Sequence, residues 1–442
     1  MQREKGSAKK VLQDLKMEIR GSQNTLIIAV DIGKIRNCAC FASSSGKVLR
    51  RRFFFTNTID GFNQLMRQSK FYQRKEELPH TLFGMEPSGY YWIHLYEHLI
   101  NCGKRTVTVS PLAVNRNRET TNVSKDKSDP KDAYNIADLM KQGKFYLPIY
   151  RDKKIRELKR FTKIYYRLIG QRASLRCRLR GAVGYIFPEL EHYFTDILAK
   201  SMIIILKKCP FPSQIKKMGK SRFISLLGKK NPGLPKKRRA EIYELARLSV
   251  GITGEEESAF FEIKFLLNEL EALDKNLAEV NARVQNIVSD RDDYRLLITI
   301  HGVGPVTASS TIAEIGDITN FSSGKQLIKL SGLDLYGSES GISIHSLRHI
   351  SKRGRRTLRT VLYQAAISCI RCNAHLKDCY LKLLANQPNK KKVKPKAIVA
   401  IACKLLRIIY RMLTEKKPFD STYDQRLREK ASLKMVKSSL LV

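Results

Sequence analysis

The sequence predicts a chain of three parts: an α/β domain at the N-terminus, a helical middle with a coiled coil, and an all-α C-terminal domain. Three observations carry this. Short β-prone runs alternate with helical stretches over residues 25–152, and apolar residues spaced 3 and 4 apart run through 255–289. From Tyr294 onward only short helical segments remain. A length of 442 residues suits about three domains. With 82 Lys plus Arg against 41 Asp plus Glu the formal net charge is +41, while 43% of the residues are hydrophobic and can form cores. So large an excess repels itself unless a polyanion is bound, which puts nucleic acid ahead of a membrane surface as partner.

Residues 1–24 read as a basic N-terminal extension, whose opening stretch lacks the apolar core of an export signal. LIIAVDIG (26–33), NCACFAS (37–43) and KVLRRRFFFT (47–56) then suggest a three-stranded meander, the last two joined by the turn Ser44-Ser45-Gly46. A helix from Ile59 to about Tyr72 leads to the strand TLFGME (81–86), a helix from Tyr90 to Asn101 and the strand RTVTVS (105–110). Helical segments between strands imply crossovers and parallel pairing after the hairpins. The order βββαβαβ followed by a helix is that of the ribonuclease H-like fold.

The middle spans 153–292. Residues 153–187 form one long helical segment stopped by Pro188, and 255–289 another, in which Ile263, Leu266, Leu270, Leu273, Leu277, Val280, Val284 and Ile287 make a heptad seam. An antiparallel pair within the chain and a seam between chains both satisfy that pattern. Residues 196–250 between them are lysine-rich and helical, broken at Pro210, Pro212, Pro232 and Pro235. The third domain is expected over 293–415, with a basic tail at 416–442; residues 346–442 carry 24 Lys plus Arg against 5 Asp plus Glu. The longest apolar runs, at 202–206 and 397–403, fall far below the ~20 residues of a spanning helix, so no membrane segment is expected. Nine irregularly spaced cysteines read as reduced thiols of a cytoplasmic protein.

Asp31 ends the first strand and Glu86 the fourth, while Asp129 and Asp132 open the helix after the last strand. Each alone reads as a turn or capping residue. Together they are more specific, because a ribonuclease H-like sheet brings the ends of its first and fourth strands together beside that helix. Four carboxylates there would repel one another without cations, and two divalent ions about 3.5–4 Å apart would serve phosphodiester chemistry. Mg2+ is the expected ion, with Mn2+ the alternative. Arg116, Arg118, Lys125, Lys127 and Lys131 flank the Asp129 group, as a phosphate backbone requires and as a solvated basic loop also allows.

In the third domain Gly302 and Gly304 of HGVGPVTA precede a helix, where they could present N–H groups to a phosphate in helix-hairpin-helix fashion or simply form a tight interhelical turn. Lys352, Arg353, Arg355, Arg356 and Arg359 open an amphipathic helix and form a candidate backbone-binding patch. Cys369, Cys372, His375 and Cys379 resemble zinc ligands in content, but their spacing puts them on one helix face, so packing thiols are favoured.

The segments AVDIGK (29–34), GMEPSGYYW (84–92), KSDPKDAYNIADL (127–139), HGVGPVTA (301–308), GDITNFSSGKQLIKLSGL (316–333) and ISKRGRRTLR (350–359) together resemble the DEDD-type transposases of the insertion-sequence 110 family, bridge-RNA-guided recombinases to which certain DNA invertases are related. The likeness covers about residues 25–415. It implies a RuvC-like N-terminal domain, a coiled-coil insertion and a C-terminal transposase domain. The family's acidic tetrad falls on Asp31, Glu86, Asp129 and Asp132, and its serine nucleophile on Ser340 before Gly341. Ser338 is the second candidate, because Glu339 interrupts the family's Ser-Ser-Gly. The resemblance further implies a structured non-coding guide RNA, donor and target double-stranded DNA, covalent phosphoserine intermediates, and homodimers or homotetramers in which tetrad and serine come from different subunits. Two other readings remain at this point: a RuvC-type metal-dependent structure-selective endonuclease with water as nucleophile, and a non-catalytic RNA-binding scaffold.

Overall fold

The computed structural model describes residues 8–21, 24–87, 89–121, 129–148, 152–252, 254–336, 339–340, 344–345, 349–385 and 390–422. The chain divides into two compact units, one of residues up to 151 together with 317–322, the other of 152–316 and 323 onward.

The first unit contains α1 (Ala8–Gly21), β1 (Thr25–Asp31), β2 (Arg36–Ser43), β3 (Val48–Thr56), α2 (Ile59–Lys75), β4 (His80–Met85), α3 (Trp92–Asn101), β5 (Thr106–Thr108), α4 (Pro111–Thr121) and α5 (Asp129–Lys141). Its sheet has the order β3-β2-β1-β4-β5. β2 runs antiparallel to β1 and β3, and β4 runs parallel to β1 and β5, so the meander and the two crossovers expected from the sequence are all present.

Side chains alternate across a strand, so β1 feeds two cores. Leu26, Ile28 and Val30 join Phe41, Phe83, Phe62 and Leu65 under α2 and α3. Ile27 and Ala29 join Leu82, Val107 and the apolar stripe of α5, Ala133, Ile136 and Met140. Burying such side chains contributes roughly 1.5–3 kcal/mol each, which is why register is strongly set here. Thr58 caps α2, its hydroxyl accepting from the Gly61 N–H at 3.2 Å. Helix α1 lies within the stretch read as an extension. Its Leu15 and Ile19 are buried in the α5-side core, with Leu12 packed beside them.

The second unit is mostly helical, but the part expected to be all-α with short helices carries two small two-stranded sheets and ends in a helix of 26 residues. α6 (Lys153–Ile186) and α12 (Glu256–Val288) are the two long helices, and α7 (Pro188–Tyr193), α8 (Lys200–Lys208), α9 (Pro212–Met218), α10 (Lys220–Lys230) and α11 (Lys236–Leu248) lie between them in sequence. Tyr185 bonds Glu255, Arg172 bonds Asp274, and Arg283 sits over the Phe161 ring. Partner numbers rise on α12 as they fall on α6, so the two are an antiparallel pair within one chain. The seam is buried at Ile263, Leu266, Leu270, Leu277, Val280 and Val284, then drifts by one residue to Val288, leaving Ile287 half-buried. Such drift is expected of a 3.6-residue helix carrying a 3.5 pattern. α7–α11 share one core with the adjoining ends of α6 and α12, including Phe187, Ile205, Phe223, Leu227 and Ile242.

The remainder comprises α13 (Asp292–Ile298), α14 (Pro305–Ile315), α15 (Gly324–Ser331), the short strands β6 (Leu335–Tyr336), β7 (Glu339–Ser340), β8 (Ile344–His345) and β9 (His349–Ile350), and α16 (Arg356–Cys372), α17 (Ala374–Ala385) and α18 (Lys390–Glu415). α14 is buried throughout 308–315. Among the described residues no helix is long and apolar enough to cross a membrane.

Candidate active site

Asp31 is the last residue of β1, and Glu86 follows the last residue of β4. The strands are parallel with Ile27 beside Leu82, Ala29 beside Gly84 and Val30 beside Met85, so Asp31 and Glu86 are the next pair of the register. Both belong to the alternation series, 27-29-31 and 82-84-86, whose earlier members face the core under α5. Gly84 lets α5 approach, because a Cβ there would meet the Met140 thioether. Asp31 and Glu86 are both half-buried.

Asp132 is 4% exposed on α5. Its Oδ1 accepts from Arg118 of α4 at 2.9 Å from Nε and 2.6 Å from Nη2. A buried carboxylate demands a partner, and here an arginine supplies it. Arg118, expected on a phosphate-binding surface, is thus turned onto the acidic group, a role the sequence did not signal; Arg116 is exposed. Asp129 opens α5, but its side chain, like residues Lys125 and Lys127, lies outside the described residues. Among the described residues no three His, Cys, Asp or Glu side chains converge as a metal site. The donor set nevertheless suits a hard divalent ion: carboxylate oxygens on neighbouring strand ends, beside a helix carrying a buried carboxylate that already draws a cation.

Ser340 lies on β7, paired in register with Ile344 of β8; its side chain, and all of Ser338, lie outside the described residues. On either side of 337–348 a short stem is described, in which Leu335 pairs with Ile350 and Tyr336 with His349. The stem is fixed below by backbone bonds from Ser351 N–H to Asp334 O at 2.7 Å, Lys352 N–H to Gly332 O at 3.0 Å and Arg355 N–H to Leu330 O at 2.8 Å. Gly332 (φ +67°) and Gly354 sit back to back, a Cβ on Gly354 falling 2.4 Å from the Gly332 nitrogen. Neither position has room for a side chain.

The cationic patch divides. Lys352, Arg353 and Arg356 are exposed. Arg359 instead donates to the Ser331 carbonyl at 2.9 Å, and Arg355 donates to the Glu314 carbonyl and lies 3.7 Å from its carboxylate. Glu314, side chain 6% exposed, also meets Lys159 of α6 at 3.2 Å. Sequence reasoning missed Glu314, though a lone carboxylate in the apolar run ASSTIAEI signals a buried partner. Gly302 (φ +97°) presses on the α16 backbone, where a Cβ would lie 2.7 Å from Cys369 Cα, so its glycine serves the interhelical turn. Gly304 is exposed at the N-cap of α14. Cys369 is buried where Gly302 meets α16, and burial, aided by Cys372, pushes its thiol up to about 12, as befits a packing thiol.

Residues 28–188 match the family model for DEDD transposases of the IS110 type, described as "Transposase", and residues 294–381 match the "Transposase IS116/IS110/IS902 family" model. Asp31, Glu86, Asp129 and Asp132 fall within the first match, Ser340 within the second. The chain is 24% identical over 393 residues, 89% of this chain and 95% of the relative, to the insertion element IS116 uncharacterized 44.8 kDa protein of Streptomyces clavuligerus. It is 35% identical over 130 residues to the pilin gene-inverting protein of Moraxella lacunata, covering 29% of this chain and 39% of that protein. It is 30% identical over 178 residues to the transposase for insertion sequence element IS1111A of Coxiella burnetii, covering 40% and 47%. Two matched domains in the family's order, on a fold that sets carboxylates at neighbouring strand ends, make the chain a member of the IS110/IS116/IS902 family of insertion-sequence transposases, a DNA transposase/recombinase.

Proposed function

We propose that the chain is an RNA-guided recombinase of an insertion sequence, acting in the cytosol as a homodimer or homotetramer on donor and target DNA selected by a structured bridge RNA. The observation that carries the chemistry is the parallel register of β1 and β4, by which Asp31 and Glu86 continue the face covered by α5. The strand order supports a RuvC-like domain over 25–152, followed by a helical region to 292, a transposase domain to 415 and a basic tail.

Asp31, Glu86, Asp129 and Asp132 would hold two divalent ions, Mg2+ or Mn2+, which when bound activate a hydroxyl and neutralise charge on the phosphate. Arg118 keeps Asp132 in place against α4. The Ser340 hydroxyl attacks a DNA phosphorus: a serine oxygen–phosphorus bond forms, the phosphorus–oxygen bond to one deoxyribose breaks, and that deoxyribose oxygen ends as a free hydroxyl carrying a proton. Reversal with a hydroxyl from another strand rejoins the DNA and restores the serine. Lys352, Arg353 and Arg356 hold the backbone during the exchange.

Complementation tests this division of labour. Asp31→Ala and Ser340→Ala chains should each be inactive, and mixing them should restore part of the recombination, since some assemblies pair an intact tetrad with an intact serine. Full recombination by Ser340→Ala, by Ser338→Ala and by their double mutant would instead favour water as the nucleophile.

A further inference from the structure

From Ile197 to Ala240 the chain carries 13 Lys plus Arg and no Asp or Glu. This segment supplies α8, α9 and α10 and opens α11, which pack into the core they share with the ends of the long helices. The charge gathers at one corner. α10 ends in Lys229 and Lys230, α11 begins Lys236-Lys237-Arg238-Arg239, and the turn between them holds five residues, 231–235.

Arg239 is the structural member of that group. Its Nε donates to the Leu234 carbonyl at 2.7 Å and its Nη1 to the Ile224 carbonyl at 3.4 Å, against Gly228, so it ties the turn to α10. Asn231 adds a bond to the Ser201 hydroxyl at 2.7 Å. These bonds fix the corner, at which the other five cations, Lys229, Lys230, Lys236, Lys237 and Arg238, are each exposed.

Helix stability does not account for the charge. Lysines in the last turn of α10 suit the helix dipole, but cations in the first turn of α11 oppose it, and no acidic residue offsets them there. Glu241 and Glu244, the next carboxylates along α11, bond Tyr193 and Lys220. The aromatic rings of the segment, Phe211 and Phe223, are buried, so the corner offers no platform for unstacked bases.

We propose that the α10–α11 corner is a second nucleic-acid site that grips the phosphate backbone of a double helix without reading its sequence. It rests on the reading of this chain as an enzyme of nucleic acids but not on the assignment of carboxylates or serine. Lysine-dominated charge without stacking rings fits phosphate oxygens rather than base edges. The backbone of a DNA duplex and that of an RNA stem offer the same chemistry.

The test uses the full chain with Lys229, Lys230, Lys236, Lys237 and Arg238 all changed to Gln, and a control with the four lysines changed to Arg. Binding of a DNA duplex and of an RNA hairpin is measured across salt concentrations. Each lost phosphate contact removes about 0.9 from the salt slope. The proposal expects the slope to fall by at least about 2 for one or both probes, with the arginine control and the melting temperature unchanged. A fall with DNA alone identifies a DNA duplex as the ligand, and a fall with RNA alone a guide stem. Unchanged slopes with both probes would overturn the proposal. Asp31→Ala should keep the full slope, so failure of the carboxylate assignment and failure of this site are read separately.

Discussion

The sheet that carries Asp31 and Glu86 and the hairpin that carries Ser340 hold their residues by different means. In the sheet, position follows from register: two parallel strands with buried apolar side chains on both faces leave their terminal carboxylates one place to be. The stem flanking the Ser340 segment instead rests on a few polar and steric locks, Gly332 against Gly354 and Arg359 on the Ser331 carbonyl. A register backed by two cores tolerates most single changes outside the carboxylates. A stem of short strands resting on two glycines tolerates few.

The largest effect is therefore expected from the sheet's chemistry and not its stability. Asp31→Ala or Glu86→Ala should lower strand cleavage by about 10³-fold or more, several kcal/mol of transition-state stabilisation, while nucleic-acid binding holds or tightens slightly. Cleavage assays over a Mg2+ and Mn2+ series measure this, and a wild-type rate for either variant would break the comparison. Next comes the stem. Gly354→Ala places a Cβ on the Gly332 backbone, and Gly332→Ala forces a left-handed residue into contact with Lys352, so each should cost about 1–3 kcal/mol locally. Amide exchange across 330–336 and 349–355 should accelerate while the sheet stays protected. Equal loss of protection in both regions would mean that the stem is not the local weak point.

The smallest effect separates cations that look alike in sequence. Neutralising Lys352, Arg353 and Arg356 should lower the salt slope by about 2–3 with no change in melting temperature. Neutralising Arg355 and Arg359 should lower the melting temperature, since Glu314 loses one of its cations and the Ser331 carbonyl its Arg359 bond, with little change in slope. The reverse pattern would return all five to a single surface patch.

Much of the sheet was legible because strand periodicity, turn residues and crossover lengths each have a direct sequence signature. β1 to β5 lie within a few residues of where alternation puts them, and six of the eight seam positions are buried, with Leu273 and Ile287 only half-buried. The pairing of α6 with α12 in one chain was not legible, because a heptad pattern states that a seam exists and not whose helix fills it. Helix α1 was hidden by its charges, since only Leu12, Leu15 and Ile19 mark its buried face. The division of the ISKRGRRTLR cations was hidden for a related reason. A sequence shows that Arg355 and Arg359 are charged, but their inward turn depends on Glu314 and Ser331, distant in the chain. Arg118 on Asp132 is the same case in the first unit.

The account turns on a covalent bond between the hairpin serine and DNA. Reaction of the wild-type chain, with the RNA that copurifies with it and Mg2+, on a nicked DNA that releases the leaving strand should trap that bond. Protease digestion and mass spectrometry then locate it. The account predicts a nucleotide on the peptide containing Ser340, absent from the Ser340→Ala and Asp31→Ala chains. An adduct on Ser338 would move the nucleophile by two residues, and cleaved DNA with no adduct on either serine would contradict the covalent mechanism.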